Sequence, residues 1–227
     1  SHPFMRLQIL AVRSRLLTRS ELPALQYAGL GAAFALNLVN RKLMGLAYER
    51  TVFSDPRGIA PFAEQKDFRM KRVALTAMNF RKAVLASGSI PVVMKPVTGI
   101  SGAGGVFRDG GMLDYHPALR FNASDSLILY PHYTNRIVPG WFDKSLSWRK
   151  APEENLDNVV MIAPSREFLE RLPYGKIPDR NDFKTFLGRD DERRAYWKTC
   201  VEEYARMADE LANLIESKKI RKEVQRF

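Results

Sequence analysis

Cysteine occurs once in these 227 residues, at Cys200, which excludes an intramolecular disulfide and fits a reducing compartment. Its spacing makes it a helix core residue. Histidine is almost as scarce: His2, His116 and His132 are scattered, and with one cysteine they do not make a zinc site. The carboxylates lack the spacing of a calcium loop, and the glycines at 99, 102, 104 and 105 do not lead from a strand into a helix as a dinucleotide loop requires. Neither a metal nor a nucleotide cofactor is therefore expected. Residues 22–39 approach the length of a membrane span, but Pro23, Gln26, Gly29, Gly31 and Asn37 interrupt the run, which predicts a buried helix instead. No signal-peptide pattern is seen. The opening Ser1-His2-Pro3-Phe4 lacks an initiator methionine, as expected of a processed or excised piece with His2 in a terminal remnant. A cytoplasmic or peripheral membrane location is the matching expectation.

What is present is enough for a sizeable core: 45% of the residues are apolar and 27% charged, which argues against disorder. Thirty-six basic residues against 25 acidic ones leave +11, favouring an anionic partner: a phospholipid surface, a nucleic acid or an acidic protein. The bases at Arg69, Lys71, Arg72, Arg81, Lys82, Arg189, Arg193, Arg194 and Lys218 to Lys222 lack the aromatic and glycine pattern of an RNA-binding sheet, so nucleic acid is the weakest of the three.

Along the chain, Phe4 to about Thr18 reads as an amphipathic helix with Arg6, Arg13 and Arg15 on its polar face. A small-residue helix follows the start signal Ser20-Glu21-x-Pro23. Lys42 to Phe53 reads as a strand closed by the turn Ser54-Asp55-Pro56-Arg57-Gly58. Between Phe68 and Ala86, apolar residues recur at three and four (Met70, Val73, Ala74, Ala77, Phe80, Val84, Leu85), predicting one helix with a basic outer face and its end at Ser87-Gly88. Residues 99–105 are too glycine-rich for regular structure and suit a loop or hairpin bend. The runs 126–131 and 158–164 look like strands covered on both faces, with an irregular excursion between them whose Trp141 and Trp148 are expected in the core. Ser165 starts a short helix, 180–187 forms another, and a long amphipathic helix runs from about Asp190 to Glu216.

A lone carboxylate, Asp109, ends an extended apolar stretch, and Gly110 and Gly111 after it can take positive φ and fold the backbone tightly. Such a carboxylate is held rather than solvated, which suits a base or an orienter, although Asp-Gly-Gly also makes ordinary turns. His116 and His132 follow it and could complete a Ser-His-Asp triad, with a structural hydrogen bond as the default for both.

The succession from the helix ending Ala86-Ser87-x-Ser89-Ile90-Pro91, through Pro96-Val97 and a gap, to Phe107-x-Asp109-Gly110-Gly111 and Pro117 resembles the second half of the patatin-like phospholipase domain, over roughly residues 40–131. The resemblance implies an α/β fold with a central, largely parallel sheet flanked by helices, and ester hydrolysis by a Ser-Asp dyad whose aspartate corresponds to Asp109, with Gly110 and Gly111 as its turn. Two departures stand out. Where the family has Asn-x-Pro or Asn-Pro after the turn, this chain has Asp114-Tyr115-His116-Pro117. The family's glycine-rich oxyanion loop and Gly-x-Ser-x-Gly elbow are absent. The nearest approach, Gly99-Ile100-Ser101-Gly102-Ala103, has no strand leading in and no helix after it, and Ser101 lies eight residues from Asp109. Ser87 and Ser89 belong to the helix end and are expected to satisfy backbone groups.

The expectation is thus a single α/β domain over residues 1–227, patatin-like to about 165 with a helical extension at 166–227 and lacking the nucleophile-bearing part. Its function would be that of a lipid acyl hydrolase in which this chain supplies Asp109 but not the serine, and which is inactive alone. Its partners would be a phospholipid or other lipid ester, an anionic membrane touched by the basic face from Arg69 to Lys82, and the missing N-terminal part of the same protein. The competing reading is a non-catalytic α/β interaction domain or a pseudoenzyme.

Overall fold

Residues 4–18 do not form the amphipathic helix that their arginines suggest; Gln8–Ser14 is a strand, and it occupies the middle of a sheet. Both of its faces are covered, so its apolar residues do not alternate with polar ones, and a continuous apolar run also fits a helix. The computed structural model describes residues 3–58, 62, 65, 67–121 and 126–225, so His2 lies outside the described residues. Contacts divide the chain into two compact units: Ser1–Ile128 with Arg136–Asn158, and Leu129–Asn135 with Val159–Phe227.

In chain order the first unit contains β1 (Gln8–Ser14), α1 (Pro23–Val39), β2 (Tyr48–Ser54), β3 (Met70–Ala74), α2 (Ala77–Ser87), β4 (Val97–Ile100), β5 (Ala103–Asp109) and the short α3 (Gly111–Asp114). The strands form one sheet in the order β3-β2-β1-β5-β4. This is an α/β arrangement, but the sheet is mixed rather than largely parallel. β1 runs against both β2 and β5, β4 runs against β5, and only β2 and β3 are parallel. The cause is local at β4 and β5, where Ile100 pairs with Ala103 across a two-residue turn that only antiparallel strands can make. The glycine-rich stretch is therefore a hairpin, but only Ser101 and Gly102 make its bend; residues 99, 100 and 103–105 are strand, against the expectation that the stretch is too glycine-rich for regular structure.

Register assigns the faces. Val12, Arg50 and Arg108 share one face, while Ala11, Thr51 and Asp109 share the other. On the second face α2 packs over Ile9, Phe53, Val73 and Phe107, with the Phe53 and Phe107 rings edge to face at 6.0 Å. On the first face, Val12 and Tyr48 pack with Ala33 of α1, Met44 and Ala47 beside the 3₁₀ turn Arg41–Leu46, and Met112 and Leu113 of α3.

α1 turns Gln26, Gly29, Ala33 and Asn37 inward, so three of the residues that interrupt its apolar run are the buried ones. Gly29 is required for close approach, because a Cβ there would lie 2.8 Å from the Leu17 carbonyl carbon. Among the described residues no helix is long and apolar enough to cross a membrane.

The expected single helix 68–86 is a strand, β3, followed by α2. Thr76 starts the helix, its N–H donating to Asn79 Oδ1 at 2.8 Å, and Gly88 ends it. Its orientation inverts the expectation. Ala83 and Ala86 face the sheet, whereas Phe80, Val84 and Leu85 are exposed. The sheet beneath already carries two phenylalanines, and alanine side chains let the helix axis come close.

The second unit contains the two-stranded pair β6 (Ile128–Pro131, all but its first residue) and β7 (Val159–Ile162), followed by α4 (Arg166–Arg171), α5 (Asp182–Thr185), α6 (Asp190–Glu216) and α7 (Ile220–Glu223). β6 and β7 are half-exposed, so the expectation of strands covered on both faces fails; apolar composition alone does not reveal a missing layer. Trp148 is 69% exposed and Trp141 also reaches the surface, against the core placement expected for them, and Phe142 is the buried aromatic of that stretch. Ser165 caps α4 by accepting the Phe168 N–H. Cys200 and Tyr196 of α6 are buried with Leu172 and Phe186, and the fully buried Asp182 accepts from Lys176 and Trp197.

Candidate active site

Asp109 is the last residue of β5, and its position follows from pairing: opposite Ala11, it points to the α2 face where the sheet ends. Its N–H donates to the Ser89 carbonyl at 3.1 Å, tying the strand end to the segment that follows α2. Its carboxylate Oδ1 accepts the Gly111 N–H at 2.8 Å, an Asx turn that fixes the side chain over the start of α3. Burial pushes the Asp109 carboxyl above the usual carboxylate range, against the opposing pull of that N–H and of the Lys144 ammonium.

The two glycines act differently from the expectation. Gly110 has φ −59° and ψ −27°, ordinary helical values, and neither glycine is among the positive-φ residues. What they provide is room. A Cβ on Gly110 would lie 2.6 Å from the Leu10 carbonyl oxygen, and one on Gly111 would lie 3.0 Å from Asp109 Oδ1.

The Asp109 turn opens on a cleft of about 350 Å³, lined by Gln8 and Leu10 of β1, Ser87 of α2, Asp109, Asp114 and Tyr115. Lys144 lies 3.9 Å from the Tyr115 ring centroid, which places its charge over that wall. Beneath the turn lies a buried ionic cluster. Arg50, a fully buried charge in β2, grips Asp114 through Nε and an Nη at 2.7 Å each, and Asp67 at 2.8 and 3.0 Å. Burial alone would lower the Arg50 pKa, but the two carboxylates outweigh it and hold the guanidinium fully charged. Asp67 is pushed up by its own burial, yet Arg50 and Arg41 bring it below the usual range. Arg41 also donates to the Leu113 carbonyl and pairs with Asp143 at 3.3 Å, and Asn37 donates to Asp143 at 2.7 Å. The Tyr115 and His116 N–H groups donate to Pro139 and Val138 carbonyls at 2.9 and 3.0 Å. Asp114 and His116 of the departing Asp-Tyr-His-Pro stretch thus carry the support of the turn.

The other candidates separate clearly. Ser101 sits in the β4–β5 turn, at the opposite end of β5 from Asp109; six residues of strand rise put them about 20 Å apart. Ser87 and Ser89 donate to the Val84 and Leu85 carbonyls, both at 2.9 Å, as expected of helix-end serines. His116 is buried with Nδ1 accepting the Val138 N–H at 2.9 Å, a structural bond. His132 belongs to the second unit, its Nδ1 2.5 Å from the Thr134 carbonyl. Among the described residues no group of three His, Cys, Asp or Glu could hold a metal ion.

Sequence reading missed Arg50, Asp67 and Lys144. Arg50 carried only a weak signal, a charge next to Glu49 in a stretch read as a strand, and its burial shows only in the fold. Lys144 carried none. No family model, curated protein or solved structure matches the chain.

Proposed function

We propose that the first unit is the aspartate-bearing part of a patatin-like lipid acyl hydrolase, with Asp109 as the proton acceptor. The observation that carries this reading is a strand-end carboxylate, oriented by the Gly111 N–H, desolvated and raised in pKa, at the wall of an open cleft. A raised pKa makes a carboxylate a better base at neutral pH, and its fixed orientation removes the entropy of finding the proton. The reaction would run in two halves. A serine Oγ attacks the ester carbonyl while its proton passes to Asp109, and the alcohol then leaves with that proton; water, deprotonated by the same carboxylate, afterwards releases the fatty acid. Arg50, Arg41 and Asp114 position the turn and take no part in proton transfer.

The nucleophile and oxyanion donors would come from a segment outside these 227 residues. Ser87, the serine on the cleft wall, supports that placement, because its hydroxyl already donates to a backbone carbonyl. The same observation favours the second reading, a non-catalytic α/β interaction domain or pseudoenzyme. Hydrolysis of p-nitrophenyl butyrate by the whole gene product separates them. Asp109→Asn should reduce turnover by at least a thousandfold while melting no lower than wild type, and this chain alone should not react with a fluorophosphonate. Turnover retained in Asp109→Asn would remove Asp109 from the mechanism.

A further inference from the structure

The inverted packing of α2 leaves an apolar surface that the first unit does not cover. Met78 is 82% exposed with Leu85 beside it two turns on, Phe80 and Val84 are exposed along the other flank of the helix, and Arg81 lies between the two pairs. The chain then continues into the loop 88–96, where Val93 is 76% exposed and Ile90, Val92 and Met94 are also exposed. Exposed apolar residues concentrated on one helix and the loop after it mark an interaction site.

Two features show that the loop is built rather than slack. Val92 has φ +70°, a left-handed conformation that a β-branched residue adopts only when its surroundings impose it. The loop is also pinned to the strand carrying the candidate base: Asp109 N–H donates to the Ser89 carbonyl at 3.1 Å, and the buried Arg108 donates to the Met94 carbonyl at 2.8 Å. The apolar tip is therefore held outward at a fixed place next to the Asp109 cleft.

Charge names the occupant. From Phe68 to Arg108 the chain contains no Asp or Glu and seven basic residues: Arg69, Lys71, Arg72, Arg81, Lys82, Lys95 and Arg108. Arg81 and Lys95 are exposed within the apolar stretch itself. Apolar side chains interspersed with the exposed cations Arg81 and Lys95 match a bilayer with anionic headgroups, in which the former enter the acyl boundary and the latter meet phosphate.

We propose that the outer face of α2 and the loop 90–95 form a docking surface for an anionic phospholipid bilayer, which presents lipid to the neighbouring Asp109 cleft. The delivery role rests on the hydrolase reading, whereas the docking itself does not. It also moves the contact away from a purely basic helix face, since the apolar residues lead and the cations assist.

The test is co-sedimentation of the protein with vesicles of phosphatidylcholine containing 30% phosphatidylglycerol, against phosphatidylcholine alone. The wild type should bind the anionic vesicles at least tenfold more tightly. Val93→Asp with Met94→Asp should reduce that binding at least tenfold, and Arg81→Ala with Lys95→Ala should weaken it severalfold and remove most of its salt dependence. Val92→Gly should also weaken binding while melting at the same or a higher temperature, because glycine accepts the positive φ. Unchanged binding by the double aspartate variant, or no anionic preference in the wild type, would overturn the proposal. So would a self-associated species that the double aspartate variant dissociates, since a second copy would then be the occupant. Loss of vesicle binding with hydrolysis of a soluble ester retained supports the surface. Vesicle binding that depends on Val93, in a whole gene product without esterase activity, keeps the surface and removes only the hydrolase reading.

Discussion

Replacing Arg50 by methionine tests what holds the Asp109 turn in place. Arg50 is buried to 0% exposure, and the change removes four hydrogen bonds of 2.7 to 3.0 Å, two to each carboxylate. The losses are unequal. Asp67 is one-third exposed and keeps Arg41 at 3.5 Å, so water and a second cation compensate it. Asp114 has a side chain only 4% exposed and is left as a buried charge without its arginine. Breaking such a pair from one side costs about 3–5 kcal/mol. For a protein of this size that lowers the melting temperature by about 6–20 °C. Removing both partners, as Arg50→Met with Asp114→Leu, leaves no stranded charge and should recover most of the loss, because apolar replacements of buried pairs are often neutral. Chemical denaturation followed by tryptophan fluorescence gives the three free energies. An Arg50→Met variant within about 1 kcal/mol of wild type, or a double variant no better than the single one, would refute the assignment of Arg50 as the support of the turn.

Two further outcomes follow from the turn itself. Because Asp109 binds its proton more tightly folded than unfolded, the folded state holds more protons between the ordinary carboxylate pKa and the raised one, and stability falls as pH rises through that window. Asp109→Asn removes the half-buried charge and keeps an oxygen for the Gly111 N–H, so it should melt higher than wild type at pH 7 and lose that advantage below about pH 4. Gly110→Ala should cost about 1–3 kcal/mol by overpacking against the Leu10 carbonyl. Gly104→Ala, where a Cβ meets nothing within 4 Å, should leave the melting point nearly unchanged.

The sequence made some of this legible. The end of an apolar stretch at Asp109, the termination of α2 at Gly88 and the bounds of α6 depend on local signals, namely a turn triplet, a helix stop and a long 3.6-residue period. What failed depended on layers. β1 read as a helix because a strand covered on both sides loses its alternation, and two of the sheet's three antiparallel pairings are made by that strand. α2 was oriented by the rule that large apolar residues face inward, yet the residues it buries are Asn79, Ala83 and Ala86. Gly110 was attributed to backbone freedom, whereas the constraint is a carbonyl on a strand about a hundred residues earlier. Neither the burial of Arg50 nor its partners Asp67 and Asp114 could be named without the fold.

The most direct measurement is the titration of the Asp109 carboxyl carbon by NMR in this chain, with Asp109→Asn identifying the signal. Desolvation against α2 and the cleft wall predicts a midpoint above that of an ordinary aspartate, moving further up in Lys144→Met as the opposing cation is removed. A midpoint at or below the ordinary aspartate value would mean that Asp109 is a solvated turn residue and would contradict its role as a poised base.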